Sequence, residues 1–182
     1  MKPIIDSAMT LEQALEGLVF PEDIRATIAL IDVRHIGFDG QLHQGQLVIH
    51  QAVAPEVTEI FEKLLEMRFP IERIVPVVAY QWNDDRSMVA NNSSAFNYRL
   101  IAGTNRLSNH SHGLAIDINP ALNPYTQKDG IVVPPGANYD PTKPGTITKD
   151  GPVVTLFSSH GWGWGGDWER KDWQHFEKPD VH

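Results

Sequence analysis

Two short segments concentrate the residues able to do chemistry. One is Ser108-Asn109-His110-Ser111-His112-Gly113-Leu114-Ala115-Ile116-Asp117, the other Asp172-Trp173-Gln174-His175-Phe176-Glu177. They supply His110 and His175 as imidazoles, Asp117 as a metal-competent carboxylate, and Asp172 as a spare carboxylate three residues before His175. Three protein ligands, an open position for water and a base for the water's proton make up a catalytic zinc site. The chain has no cysteine. That removes disulfides, thiolate ligands and a thiol nucleophile, so any ion must be held by His and carboxylates, which suits Zn²⁺.

The bulk properties narrow the field. A net charge of −8 opposes nucleic acid or an anionic membrane surface as the main partner. With 182 residues, 41% hydrophobic and 21% charged, the chain reads as one domain over residues 1–182 with a core of its own. No apolar run reaches the length of a membrane span. The opening Met1-Lys2-Pro3-Ile4-Ile5-Asp6 lacks the apolar core of a secretory signal. The expected location is therefore the cell envelope if a leader has been removed, and otherwise cytoplasmic or phage-derived.

The elements that must position these residues follow from local pattern. Thr10-Leu11-Glu12-Gln13 has the form of a capping box ahead of a helical face of Leu11, Ala14, Leu15 and Leu18. The runs 28–36 and 42–50 are β-rich, and Asp39-Gly40 between them predicts a hairpin, so residues 1–50 form an N-terminal helix and hairpin. Gly45 within the second run predicts a bulge or a close backbone approach. Val57, Ile60, Phe61, Leu64 and Leu65 follow the spacing of an amphipathic helix opened by Pro55. Residues 71–80 read as an irregular strand around Pro76. Residues 113–119 alternate as a strand, with Asp117 on the face beside the small Ala115. Residues 120–152 contain seven of the thirteen prolines and predict a long ordered loop or lid. A short helix over 153–159 and a last strand over 173–177, with His175 and Glu177 on one face, complete the reading.

At the chemical residues the chain resembles a zinc metallopeptidase family. It groups D-alanyl-D-alanine carboxypeptidases, vancomycin-resistance dipeptidases and phage L-alanyl-D-glutamate endolysins. The shared pattern is Ser-x-His, six residues, Asp, and downstream Asp/Glu-x-x-His. It matches Ser108, His110, Asp117, Asp172 and His175, with Gly113 and Ala115 also in place. Trp164-Gly165-Gly166-Asp167-Trp168 is similar to the endopeptidase subgroup, as is Asp rather than Glu at 172. The motif-bearing core spans residues 91–177. The resemblance implies an α+β fold like that of Hedgehog and DD-peptidase domains, a mainly antiparallel sheet with flanking helices. It also implies one Zn²⁺ held by His110, Asp117 and His175, with Asp172 as general base and then acid. Arg99, or Arg106 in competition with it, would steady the oxyanion. The implied substrates are peptidoglycan stem peptides, cut at the D-Ala–D-Ala or the L-Ala–D-Glu bond.

Lesser candidates surround this set. Ser108, His112, Trp173 and Glu177 are expected to touch substrate or steady the ligands, with Ser108 equally able to cap a turn. His160 reads as a helix-end residue. His35, His43 and His50 lie on the hairpin, where solvated or paired imidazoles are the default, and Asp84 and Asp85 read as a solvated turn. Trp162, Trp164 and Trp168 read as core and cleft wall. The alternative functions are a non-catalytic zinc-bearing binding module of the same fold and a cytoplasmic D-amino-acid dipeptidase. Asp172 argues against the first, since a structural zinc site needs no base.

Overall fold

In the computed structural model, which describes residues 2–127 and 129–179, a short strand β1 (Ile4–Ile5) opens the chain. The Thr10 capping box forms as expected, with Gln13 as its reciprocal partner, but helix α1 covers only Leu11–Ala14. A second one-turn helix, α2 (Glu22–Arg25), leads into strand β2 (Ile28–Ile36), which turns at Asp39-Gly40 into β3 (Leu42–His50). The two strands pair antiparallel without interruption from Ile28↔His50 to Ile36↔Leu42, and β1 adds to β3 in parallel. Gly45 therefore marks a close approach and no bulge. A Cβ there would run into the carbonyl and side chain of Ile74.

Helix α3 (Ala54–Glu66) carries Pro55 in its first turn and buries Val57, Ile60, Phe61 and Leu64 against the sheet. Each such side chain contributes about 1.5–3 kcal/mol by leaving water. The strand expected over 71–80 shrinks to β4 (Arg73–Ile74), which pairs in parallel with β5 (Asn92–Ser93). Pro76 has no N–H to extend a ladder, and the chain coils instead into a 3₁₀ turn, Val77–Tyr80. Helix α4 (Asp84–Val89), capped by Asn83, follows.

The motif-bearing half forms its own small sheet. Strand β6 (Ala115–Asp117) is shorter than the alternation over 113–119 predicts. Next come β7 (Tyr125–Thr126) and β8 (Val132–Val133), a two-stranded ladder within the proline-rich segment. Helix α5 (Pro152–Ser159) is followed by β9 (Gly163–Trp164) and β10 (His175–Glu177), in the antiparallel order β6-β10-β9. The α+β expectation holds, with most pairings antiparallel and the sheet divided into four. One apolar cluster joins α3, the hairpin, Ile116, Ile118, Phe157, Trp162, Trp164 and Phe176, so the small sheet and the hairpin share a core. No helix among the described residues is long and apolar enough to cross a membrane.

Candidate metal centre

The three expected ligands meet at one buried point. His110 sits on the 3₁₀ turn Asn109–His112, whose N-cap Ser108 accepts a hydrogen bond from the His110 N–H at 3.3 Å. The turn ends at Gly113, in the left-handed region at φ 65°, where a Cβ would also stand 2.5 Å from the His50 nitrogen. Only glycine fits both demands. Four residues on, Asp117 ends β6 directly opposite His175 at the start of β10. Directly opposed residues of an antiparallel pair present their side chains on one face.

Asp117 Oδ2 lies 3.1 Å from His110 Nε2, its Oδ1 3.0 Å from His175 Nδ1, and the two imidazole nitrogens are 3.2 Å apart. Ligands bound to tetrahedral zinc at about 2.0–2.1 Å stand about 3.3 Å from one another. The donor set and its spacing therefore fit a zinc-class cation. The distal ring nitrogens are fixed as well. His110 Nδ1 donates to the Ala95 carbonyl, and His175 Nε2 donates to Glu177 Oε2 at 3.2 Å. Such bonds set the tautomer that turns the other nitrogen toward an ion. Burial alone would raise Asp117, but His110 and His175 beside it hold its carboxyl well below the usual range. Burial would lower His175, and its bonds to Asp117 and Glu177 outweigh that and push it up to about 10. Two imidazoles thus face one buried carboxylate, and a divalent cation binding there would displace the proton that His175 holds.

Asp172 reaches the same place by a turn. The His175 N–H donates to the Asp172 carbonyl at 3.3 Å, so the chain bends between them and both side chains border one cleft. Gly165 makes room, since a Cβ there would lie 2.6 Å from the Asp172 carbonyl oxygen and 3.2 Å from His175 Cβ. Asp172 Oδ1 is buried without a hydrogen-bond partner among the described residues. Burial, reinforced by the charge on Asp117, pushes its carboxyl up to about 7, against the lowering effect of His175 and Arg99.

The cleft, of about 380 Å³, is bordered by His110, Asp117, His175, Asp172, Ser108, Glu177, Arg99 and Arg106. Arg99 is half-buried and held by Asp84 at 3.1 Å, with its Nε buried and without a partner among the described residues; Arg106 is exposed. His112 and Trp173 stand outside the cleft. Trp173 instead stacks on Tyr139, at 4.0 Å between ring centres and 9° between planes, and anchors the proline-rich segment.

Several neighbours were not legible in sequence. Asp84 is no solvated turn, since it pairs with Arg99 and accepts from Asn97 Nδ2. Asn109 Nδ2 donates to Glu177 Oε2 at 2.8 Å and so steadies the residue that steadies His175. Ser111 Oγ accepts from the Arg99 N–H and donates to its carbonyl, tying the Arg99 backbone to the His110 turn. Trp168, 41% exposed, lies 5.1 Å from the His175 ring as cleft wall, while Trp162 and Trp164 are core. Adjacency to His110 was the local signal for Asn109 and Ser111, and the tryptophans stand where the sequence reading put them.

Residues 102–178 match a family model described as D-alanyl-D-alanine carboxypeptidase. The match takes in His110, Asp117, Asp172 and His175 and stops short of Arg99. No curated protein and no solved structure matches the chain.

Proposed function

Because residues 102–178 match the family model described as D-alanyl-D-alanine carboxypeptidase, we propose that this chain is a zinc-dependent peptidase acting on the peptide stems of bacterial peptidoglycan. The observation behind this reading is the triangle of buried donors, 3.0–3.2 Å on each edge, at a cleft shared with an unpartnered carboxylate and a half-buried arginine. His110, Asp117 and His175 would hold the ion. Once bound, a zinc ion supplies a Lewis acid that acidifies water and polarises the scissile carbonyl.

The remaining work falls to side chains of the chain itself. Asp172, its carboxyl raised by burial, takes the proton of the attacking water and returns it to the leaving amine nitrogen. Arg99, oriented by Asp84, offers its guanidinium to the negative charge that develops on the carbonyl oxygen. Glu177, fastened by Asn109, keeps the His175 ring turned toward the ion. The net charge of −8 repels stem carboxylates, so Arg99 and Arg106 are the local groups that draw them into the cleft.

Mass spectrometry of tetrapeptide and pentapeptide muropeptides incubated with the protein, with added zinc or with a chelator, tests this reading. Chelator-sensitive loss of one alanine from the pentapeptide identifies a carboxypeptidase. Release of the stem beyond L-Ala identifies an endopeptidase. An intact substrate beside zinc-loaded protein would move the assignment to a binding module.

A further inference from the structure

A second set of metal-competent side chains converges on the β1-β3-β2 sheet, apart from the three of the cleft. His35 of β2 and His43 of β3 are directly opposed in the hairpin register. Asp6 follows β1, and its N–H donates to the Gln44 carbonyl at 2.9 Å, which sets its carboxylate beside both rings. Asp6 Oδ1 lies 2.9 Å from His43 Nδ1 and Oδ2 lies 3.4 Å from His35 Nε2. One donor atom from each of the three residues falls within 4.8 Å of the others.

His35 is what distinguishes this cluster from an ordinary surface ion pair. Its side chain is 1% exposed, yet neither ring nitrogen has a hydrogen-bond partner among the described residues, and neither does Asp6 Oδ2. A buried imidazole normally satisfies its nitrogens on backbone or side-chain groups. At 3.4 Å, His35 and Asp6 are spaced like two ligands of one ion at about 2.0–2.1 Å, and too far apart for a good hydrogen bond. The far side of His43 completes the pattern, because its Nε2 faces the Asp39 carboxylate at 3.2 Å. A carboxylate behind a ligating imidazole is the usual support for a metal-bound histidine. Gly37 permits that arrangement, since a Cβ there would stand 2.6 Å from Asp39 Oδ1 and 2.7 Å from His43 Nε2.

We propose that Asp6, His35 and His43 form a second site for a zinc-class divalent cation, with Asp39 orienting His43 and water completing the coordination. Two imidazoles and one carboxylate select such an ion over Mg²⁺ or Ca²⁺, which take oxygen ligands. Asp6 and His43 side chains are each 12% exposed, and the ion reaches the site from their side. Once bound, it clips the β1 segment to the hairpin. The site lies on a different sheet from the cleft and does not depend on the catalytic reading.

The test uses the full chain, stripped with chelator, loaded with zinc sulfate, desalted and measured for zinc per chain. His175→Ala removes a ligand of the cleft and should leave one zinc. Adding Asp6→Asn or His43→Gln to that background should remove this last ion, and Asp39→Asn should weaken it by roughly 10–100-fold in a calorimetric titration. Asp6→Asn and His43→Gln are near-isosteric changes at the accessible edge, and circular dichroism verifies their fold. Should either fail to fold, the exposed Asp39→Asn decides. If the His175→Ala chain binds no zinc, or the folded Asp6→Asn chain keeps its ion at unchanged affinity, the second site does not exist. If His175→Ala leaves two ions bound, the assignment of the cleft fails instead, and the hairpin is still judged by Asp6→Asn.

Discussion

The base role proposed for Asp172 rests on what surrounds it. Among the described residues no donor satisfies its buried Oδ1, so the carboxylate is poorly solvated and its pKa rises to about 7. A general base works only when deprotonated. kcat/KM should therefore rise with pH as the Asp172 carboxyl ionises and be lost as pH falls through its pKa, which burial raises to about 7 in the metal-free cleft and a bound cation lowers from there. Asp172→Asn should keep its zinc, lose roughly 10²–10⁴-fold in kcat and no longer show that limb. Turnover near the wild-type rate would remove Asp172 from the mechanism. Glu177→Gln probes a different role. Asparagine 109 and the His175 ring both bond Glu177 Oε2, so weakening that acceptor should cost about 10–100-fold in zinc affinity at the cleft, read by competition with a chromogenic chelator. An unchanged affinity would mean that β10 alone orients the ring.

At the scale of elements, the centre depends on one strand pair and two tight turns. The β6–β10 register opposes Asp117 to His175, and the 3₁₀ turn brings His110 over them. Gly165 supports the remaining turn, which delivers Asp172. Gly165→Ala should destabilise the fold by about 1–3 kcal/mol through overpacking, measured by urea unfolding. Its kcat should fall further than that loss of stability explains, because the displaced atoms belong to Asp172 and His175. Gly163→Ala is the control, since its added Cβ meets nothing nearer than the Glu177 carbonyl at 3.8 Å. Equal activity losses in the two variants would place the effect in general packing.

Across the whole molecule, residues 120–127 and 129–152 form a fastened wall of the cleft. Tyr125, Gln127 and Val133 border it, and buried Asn123 holds the segment from below. Asn123 accepts from the Ile147 N–H at 2.7 Å and donates to the carbonyls of Ile118, Asn119 and Gly145. Asn123→Ala would leave the buried Ile147 N–H unpaired, at about 1–3 kcal/mol. A lower urea midpoint with a raised KM and little change in kcat is the expected result; an unchanged KM would show that the wall does not touch substrate.

Patterns that repeat within one element were legible in the sequence, because burying a face imposes a period. The α3 stripe, the hairpin around Asp39-Gly40, the Thr10 capping box and the α5 helix all formed where that logic put them. The inventory of donor side chains at 110, 117, 172 and 175 was equally plain, since chemistry is written in residue type. What the sequence could not determine was partnership across long separations. Asp84 and Arg99, Asn109 and Glu177, and Asp6 with His35 and His43 meet only after strands have docked, and no local period marks them. The strand expected over 71–80 failed for a related reason, since alternation there competed with Pro76, and the backbone's need for a donor prevailed. The sequence named the groups able to bind a cation; the tertiary fold alone decided which of them stand close enough to share one.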